Sequence, residues 1–323
     1  MSDLLYSIGV DLGGTNIAVG LVDLNSRNIV RQRSVKTDAP RPCESIAMDI
    51  KTVSESLCQE EGISLQDVAW IGIAMPGIVK GDVVLSAFNL DWYNVKLGKV
   101  VSDLTSRPTH VANDANAAAY AEAVWGSGKG AKSLIAFTIG TGVGGGIVIN
   151  GKIWEGTNGF AAEMGHSILV PGGRICPCGK RGCIEAYCSA TALIRETKRM
   201  MKLYPESVMW KLCESDLNKV TGLTPFTAKK MDDECAKLVL DEFIENLAIG
   251  IGNAVNIFQP DVVCIGGGIS REGENLLAPL REKVTRVTFG FEDNRTKLVA
   301  ASLKNDAGII GAGLLGLQYE RFV

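Results

Sequence analysis

Ile8–Val22 reads IGVDLGGTNIAVGLV, and Leu134–Ile149 reads LIAFTIGTGVGGGIVI. Each is an apolar, β-rich run, then a turn of Gly and Thr, then a second apolar run. Two such units in one chain predict two related α/β halves with a ligand cleft between them. Working outward, Tyr6–Asp11, Ile17–Val22 and Asn28–Val35 predict an antiparallel meander joined by tight turns. Cys43–Glu60 sets Ile46, Ile50, Val53 and Leu57 on one helical face. Trp70–Ala74, Thr109–Ala112, Ser133–Ile139, Val262–Ile265 and Lys297–Ala301 read as further strands. Gly140–Gly146 reads as a turn and Ile147–Ile149 as the strand after it. Asp114–Trp125, Ala186–Leu203, Asp232–Phe258, Leu276–Val287 and Ala307–Tyr319 read as helices.

The chain has 323 residues, enough for one or two domains with a sizeable core. Hydrophobic residues make up 46% and charged residues 21%, the balance of an ordinary globular protein. A formal net charge of -3 argues against a nucleic-acid partner, which needs clustered Lys and Arg. The start, MSDLLYSI, lacks the basic and apolar regions of a secretory signal, and no run is apolar enough for a membrane span. A cytoplasmic location is therefore expected. Of 9 cysteines, three crowd into Cys176–Cys183; the other six are scattered and read as reduced, buried apolar residues.

Phosphate needs backbone N–H groups and no Cβ in the way, which glycine provides. Asp11-Leu12-Gly13-Gly14-Thr15-Asn16 offers such a turn, and Asp11 at the strand end could hold a magnesium ion. Gly140, Gly142 and Gly145 fit G-x-G-x-x-G, but that fingerprint must open a helix. Here Ile147-Val148-Ile149 continues as a strand, so the turn reads as one inside a hairpin, the other way to cradle phosphate, and not as a dinucleotide site. Gly266-Gly267-Gly268 closes a third strand, where a flat ring could approach the backbone. Three such turns at strand ends point to a nucleotide.

Asn113-Asp114-Ala115-Asn116 puts a carboxylate where a strand gives way to a helix. It reads both as an N-cap and as a general base for a hydroxyl nucleophile. His166, Cys176, Cys178 and Cys183 make a Cys₃His set, one of the usual compositions of a closed structural zinc site. Gly179 and Gly182 let the loop fold back, and Cys-Pro-Cys is too tight for an easy disulfide. Glu163 and Glu185 flank those ligands and suit recognition of several sugar hydroxyls.

Taken together, these residues resemble the ROK family of sugar kinases, sugar-responsive repressors and open reading frames, over nearly the whole chain. Glu163-Met164-Gly165-His166 matches its E-x-G-H motif, and Cys176–Glu185 matches C-x-C-G-x-x-G-C-x-E. The resemblance implies a two-domain ribonuclease-H-like fold of the actin and hexokinase type, with 1–113 plus 306–323 in a smaller domain and 114–305 in a larger one. It implies ATP with Mg²⁺ at Asp11, Gly13, Gly14, Thr15, Asn16, Thr138, Gly140, Thr141 and Gly142, and adenine near Gly266 and Gly267. It implies Asp114 as the base, and a sugar at Gly77, Asn89, Asn113, Asp114, Glu163, His166 and Glu185, with His166 also on zinc. Among family members the pattern is most similar to bacterial glucokinases. That implies phosphorylation of glucose to glucose 6-phosphate, by a homodimer or homotetramer. N-acetylmannosamine kinases share the Cys-Ile-Glu-Ala-Tyr segment. A sugar-sensing regulator would need a DNA-binding module before the first strand, which begins by Tyr6. Two positions depart from the family's usual pattern: Ala161-Ala162 stands where a Gly-rich run is common, and Asn16 where many members carry Lys.

Overall fold

A computed structural model describes residues 6–290 and 295–319. The ends of the expected smaller domain, 1–5 and 320–323, lie outside them. The strands are β1 (Tyr6–Leu12), β2 (Asn16–Asp23), β3 (Asn28–Lys36), β4 (Val68–Met75), β5 (Ile78–Lys80), β6 (Val83–Ala87), β7 (Trp92–Val95), β8 (Thr109–Asn113), β9 (Ser133–Ile139), β10 (Val143–Ile149), β11 (Lys152–Ile153), β12 (Val262–Gly266) and β13 (Lys297–Ala300). The helices are α1 (Cys43–Glu60), α2 (Leu97–Thr105), α3 (Asp114–Val124), α4 (Glu185–Cys188), α5 (Ala190–Leu203), α6 (Met209–Leu212), α7 (Thr224–Lys229), α8 (Glu234–Phe258), α9 (Glu274–Val287) and α10 (Ala307–Leu314).

The chain divides into two compact units, 1–133 with 146–162 and 302–323, and 134–145 with 163–301. This cut differs from one at 113/114 because α3 packs with the first unit. A Cβ on Gly311 of α10 would lie 2.0 Å from the Ala117 carbonyl oxygen, and one on Gly72 of β4 would lie 1.7 Å from that of Ala312. Only glycines let α10 sit this close to both α3 and the sheet.

In the first unit the sheet order is β3-β2-β1-β4-β8. The meander β1–β3 is antiparallel, whereas β4 and β8 join parallel to β1. Ile46, Ile50, Val53 and Leu57 of α1 are buried as their spacing predicts, in one core with Ile8, Val10, Ile17 and Val19 of the sheet. Each such side chain contributes roughly 1.5–3 kcal/mol on burial. A small sheet, β5-β6-β7, and helix α2 were not read from the sequence. The other main sheet runs β11-β10-β9-β12-β13, with β9, β12 and β13 parallel.

Two local readings change. Val143–Gly146 are strand rather than turn, and a Cβ on Gly146 would meet the Ala119 Cβ at 2.4 Å. The glycine serves close packing of β10 on α3. The expected helix Ala186–Leu203 breaks at Ser189, which is extended (φ -76, ψ 160) and caps α5 by accepting from the Ala192 N–H. Among the described residues, no helix is long and apolar enough to cross a membrane. The six scattered cysteines, Cys43, Cys58, Cys188, Cys213, Cys235 and Cys264, are all buried.

Candidate functional site

In the first unit the candidate residues gather at the carboxyl ends of the parallel strands, where open α/β sheets bind ligands. Asp11 stands near the end of β1, in register with Ala74 of β4, and Asn113 ends β8 opposite Met75. Asn113 caps α3, its side-chain oxygen accepting from the Ala115 and Asn116 N–H groups at 2.9 and 3.2 Å. The cap is therefore Asn113 rather than Asp114. Its side-chain nitrogen donates to the Gly77 carbonyl at 3.0 Å, drawing the turn after β4 to the same edge.

Asp114, the first residue of α3, keeps its carboxylate open to solvent, with Oδ1 accepting from the Ala115 N–H at 2.8 Å. The protein crowding around it still lifts its carboxyl above the ordinary range, against the pull of those backbone N–H groups. Burial raises the Asp11 carboxyl too, and the nearby charge of Asp114 raises it further. The far end of α3 is pinned: Glu122 accepts from the N–H groups of Ser127 and Leu303, each at 2.8 Å. A helix anchored at both ends holds Asp114 in one place.

The first glycine turn follows Asp11 in the chain, with Leu12 between. The Gly13 N–H donates to the Asn16 carbonyl at 2.9 Å, and the Thr37 hydroxyl donates to the Gly13 carbonyl at 2.6 Å. Thr15 and Asn16 are exposed. A Cβ on Gly14 would lie 3.2 Å from the Cβ of Asn89, so the proposed phosphate turn and a proposed sugar residue touch.

In the second unit Thr138 pairs in register with Gly266, which brings the turn after β9 and the glycines after β12 to one edge. Gly267 has φ +84, and a Cβ there would lie 2.2 Å from the Ile139 carbonyl oxygen. Gly140, Thr141 and Gly142 form the turn itself. Glu185 reaches it: its Oε2 accepts from the Val143 N–H at 2.9 Å, in space that a Cβ on Gly142 would invade at 2.3 Å.

His166, Cys176, Cys178 and Cys183 converge with all four ligand atoms within 4.8 Å of one another. Cys178 and Cys183 sulfurs lie 3.7 Å apart, and Cys176 Sγ lies 3.7 Å from His166 Nδ1. Thiolates on one tetrahedral zinc, with bonds of about 2.3 Å, stand about 3.8 Å apart, so the set fits such an ion. Gly179 and Gly182, at φ +86 and +87, make the fold-back that the sequence suggests. The Lys180 N–H holds the Cys178 thiol below its usual range, whereas burial pushes the Cys176 thiol up to about 12 and raises that of Cys183. With Nδ1 toward the sulfurs, His166 Nε2 faces Glu163 Oε2 at 3.9 Å. Arg174 braces the loop: it pairs with the buried Glu196 at 2.8 Å and lies over the Tyr187 ring.

Sequence reasoning missed the residues that hold the second turn. Thr191 Oγ1 donates to the Thr141 carbonyl and the Ala190 N–H to the Gly140 carbonyl, each at 2.8 Å. Their only sequence signal is Ser189, a helix cap that places both at the start of α5.

The profile of the ROK family matches residues 7–318. The glucokinase of Thermotoga maritima is 37% identical over 314 residues, 95% of this chain and 96% of that protein. A ROK family glucokinase from Streptomyces griseus, solved in complex with glucose and AMPPNP, is 36% identical with a TM-score of 0.77 and covers 97% of this chain and 99% of its own. The xylose repressor of Caldicellulosiruptor bescii is 34% identical over 245 residues, 75% of this chain and 60% of the repressor. The fold is thus the actin and hexokinase type expected from the sequence.

Proposed function

The chain belongs to the ROK family, and from that premise we propose that it transfers the γ-phosphoryl group of ATP to a hexose hydroxyl, converting glucose to glucose 6-phosphate. The observation that carries this reading is the Asp114 carboxylate, open to solvent on a helix pinned at both ends and held above its ordinary range by the protein around it. In the transfer, the sugar oxygen bonds to the γ-phosphorus and the bond to the β-phosphate oxygen breaks. ADP leaves with that electron pair, and the hydroxyl proton passes to Asp114. Asp11 would hold Mg²⁺, which neutralises phosphate charge. Gly13, Gly14, Thr15 and Asn16, with Thr138, Gly140, Thr141 and Gly142, would serve the phosphates, and Gly266 and Gly267 the adenine. Gly77, Asn89, Asn113, Glu163, His166 and Glu185 would position the sugar. The Cys₃His set would hold a structural zinc. Metal binding there would release the thiol protons to solvent, which would free Glu185 Oε1, 3.4 Å from Cys176 Sγ, to accept from a sugar hydroxyl. A homodimer or homotetramer and a cytoplasmic location belong to the same reading.

ADP release should be measured with ATP, Mg²⁺ and a panel of glucose, mannose, fructose, N-acetylmannosamine and N-acetylglucosamine. A glucose-led profile is expected. An N-acetylmannosamine-led profile would reassign the acceptor. Sugar binding without ADP release would favour a sugar-sensing regulator, a reading that the likeness to a xylose repressor supports.

A further inference from the structure

The second glycine turn is held from outside its own hairpin. Along the turn, the Gly140 carbonyl accepts from the Ala190 N–H at 2.8 Å, the Thr141 carbonyl from Thr191 Oγ1 at 2.8 Å, and the Val143 N–H donates to Glu185 Oε2 at 2.9 Å. The other side is closed by Gly165, where a Cβ would lie 2.1 Å from the Val143 carbonyl oxygen. Both supports spring from the metal cluster. Gly165 immediately precedes His166, and Glu185 follows Cys183 by one intervening residue. Ser189, by capping α5, places Ala190 and Thr191, the donors of the first two of these bonds. A turn held at three of its four residues by one segment loses its freedom to that segment, and the segment loses its own to the cluster.

We propose that Glu185–Thr191 is a bracket carrying the order of the His166–Cys176–Cys178–Cys183 cluster to the turn Gly140–Val143. Thr191 and Glu185 are its positioning residues. The metal then governs nucleotide affinity as well as sugar affinity. The assignment of nucleotide to this turn rests on the kinase reading above; the mechanical link does not.

Two measurements on the full chain separate these parts: hydrogen–deuterium exchange over residues 138–146, and calorimetric titration with AMPPNP plus Mg²⁺ and, separately, with glucose. Thr191 is exposed, and Thr191→Val removes one hydroxyl while keeping all four candidate metal ligands. Loss of that single hydrogen bond should weaken AMPPNP binding about 2- to 10-fold and speed exchange across the turn, with glucose affinity unchanged. Thr191→Ser, which restores the donor, should recover both. Chelation of the metal from the wild-type chain should speed exchange in the same residues. The proposal is overturned if Thr191→Val leaves turn exchange and AMPPNP affinity at wild-type values. It is also overturned if chelation loosens 163–185 and leaves 138–146 as protected as before. Should the metal-loaded wild-type chain bind no AMPPNP at all, the kinase reading fails while the exchange measurements still decide the bracket.

Discussion

Of the two glycine turns, the one at Gly13–Asn16 is closed by its neighbours in the meander. Gly13 bonds across the turn to Asn16, and Thr37, just past β3, bonds to Gly13 and Thr15. The one at Gly140–Val143 takes its support from Glu185 and Thr191, bonds that span 42 and 50 residues. Similar sequence grammar thus yields one turn that its own sheet stabilises and one that depends on a metal-ligand loop. The difference assigns separate tasks. The first turn sits with the fixed carboxylates Asp11 and Asp114, and the second sits where a bound metal can set its geometry.

If the first region carries the chemistry, its base should show the largest effect. Asp114→Asn should keep sugar binding and lower kcat by roughly 10²–10⁴-fold. Asn113 keeps the helix cap in that variant, so the fold should survive. Turnover near the wild-type value would remove the base from this region and with it the division of tasks.

A smaller effect separates the turns directly. In Gly142→Ala the new Cβ would sit 2.3 Å from Glu185 Oε2 and push that carboxylate off the Val143 N–H. In Gly14→Ala the Cβ would sit 3.2 Å from the Asn89 Cβ, which needs a shift of only tenths of an ångström. A misplacement near 1 Å in a positioning group costs about 10²-fold, so kcat/KM should fall roughly 10- to 100-fold for Gly142→Ala and by less than about tenfold for Gly14→Ala. Equal losses would mean that the second turn does not depend on Glu185.

The sequence shows the first turn better than the second for a physical reason. The meander and α1 follow local periods of two and 3.6 residues, and the structure reproduces the Cys43–Glu60 boundaries. The Cys₃His set is legible because few roles other than metal binding crowd three thiols and an imidazole into one loop. The approach of Glu185 to Val143 has no period to read, since it depends on how a loop folds back over 42 residues. Strands β5–β7 escape notice because the first is three residues long and lies between Gly77 and Gly81. Gly146 looks like turn punctuation, yet it is a strand residue whose missing side chain admits Ala119.

The smallest effect concerns stability, and its pH dependence tells the regions apart. Burial and the charge of Asp114 both raise the Asp11 carboxyl above its ordinary range. A carboxyl raised by folding stabilises the fold fully below its unfolded pKa, and that contribution is lost as the pH climbs through the raised value. The ionised Asp11 therefore costs stability, and Gly308 of α10 leaves room for its Oδ2. Asp11→Asn should raise Tm at pH 7 by on the order of a degree or two while lowering activity. The gain should shrink as the pH falls through the carboxylate range, where the wild-type group regains its proton. Thr191→Val changes no charge, so its effect on Tm should be flat over the same interval. A pH-independent gain in Asp11→Asn would show that side-chain shape, and not the burial of the Asp11 charge beside Asp114, sets the stability of the first region. A loss of Tm at pH 7 would show that the ionised carboxylate is held by donors strong enough to outweigh both its burial and its neighbour.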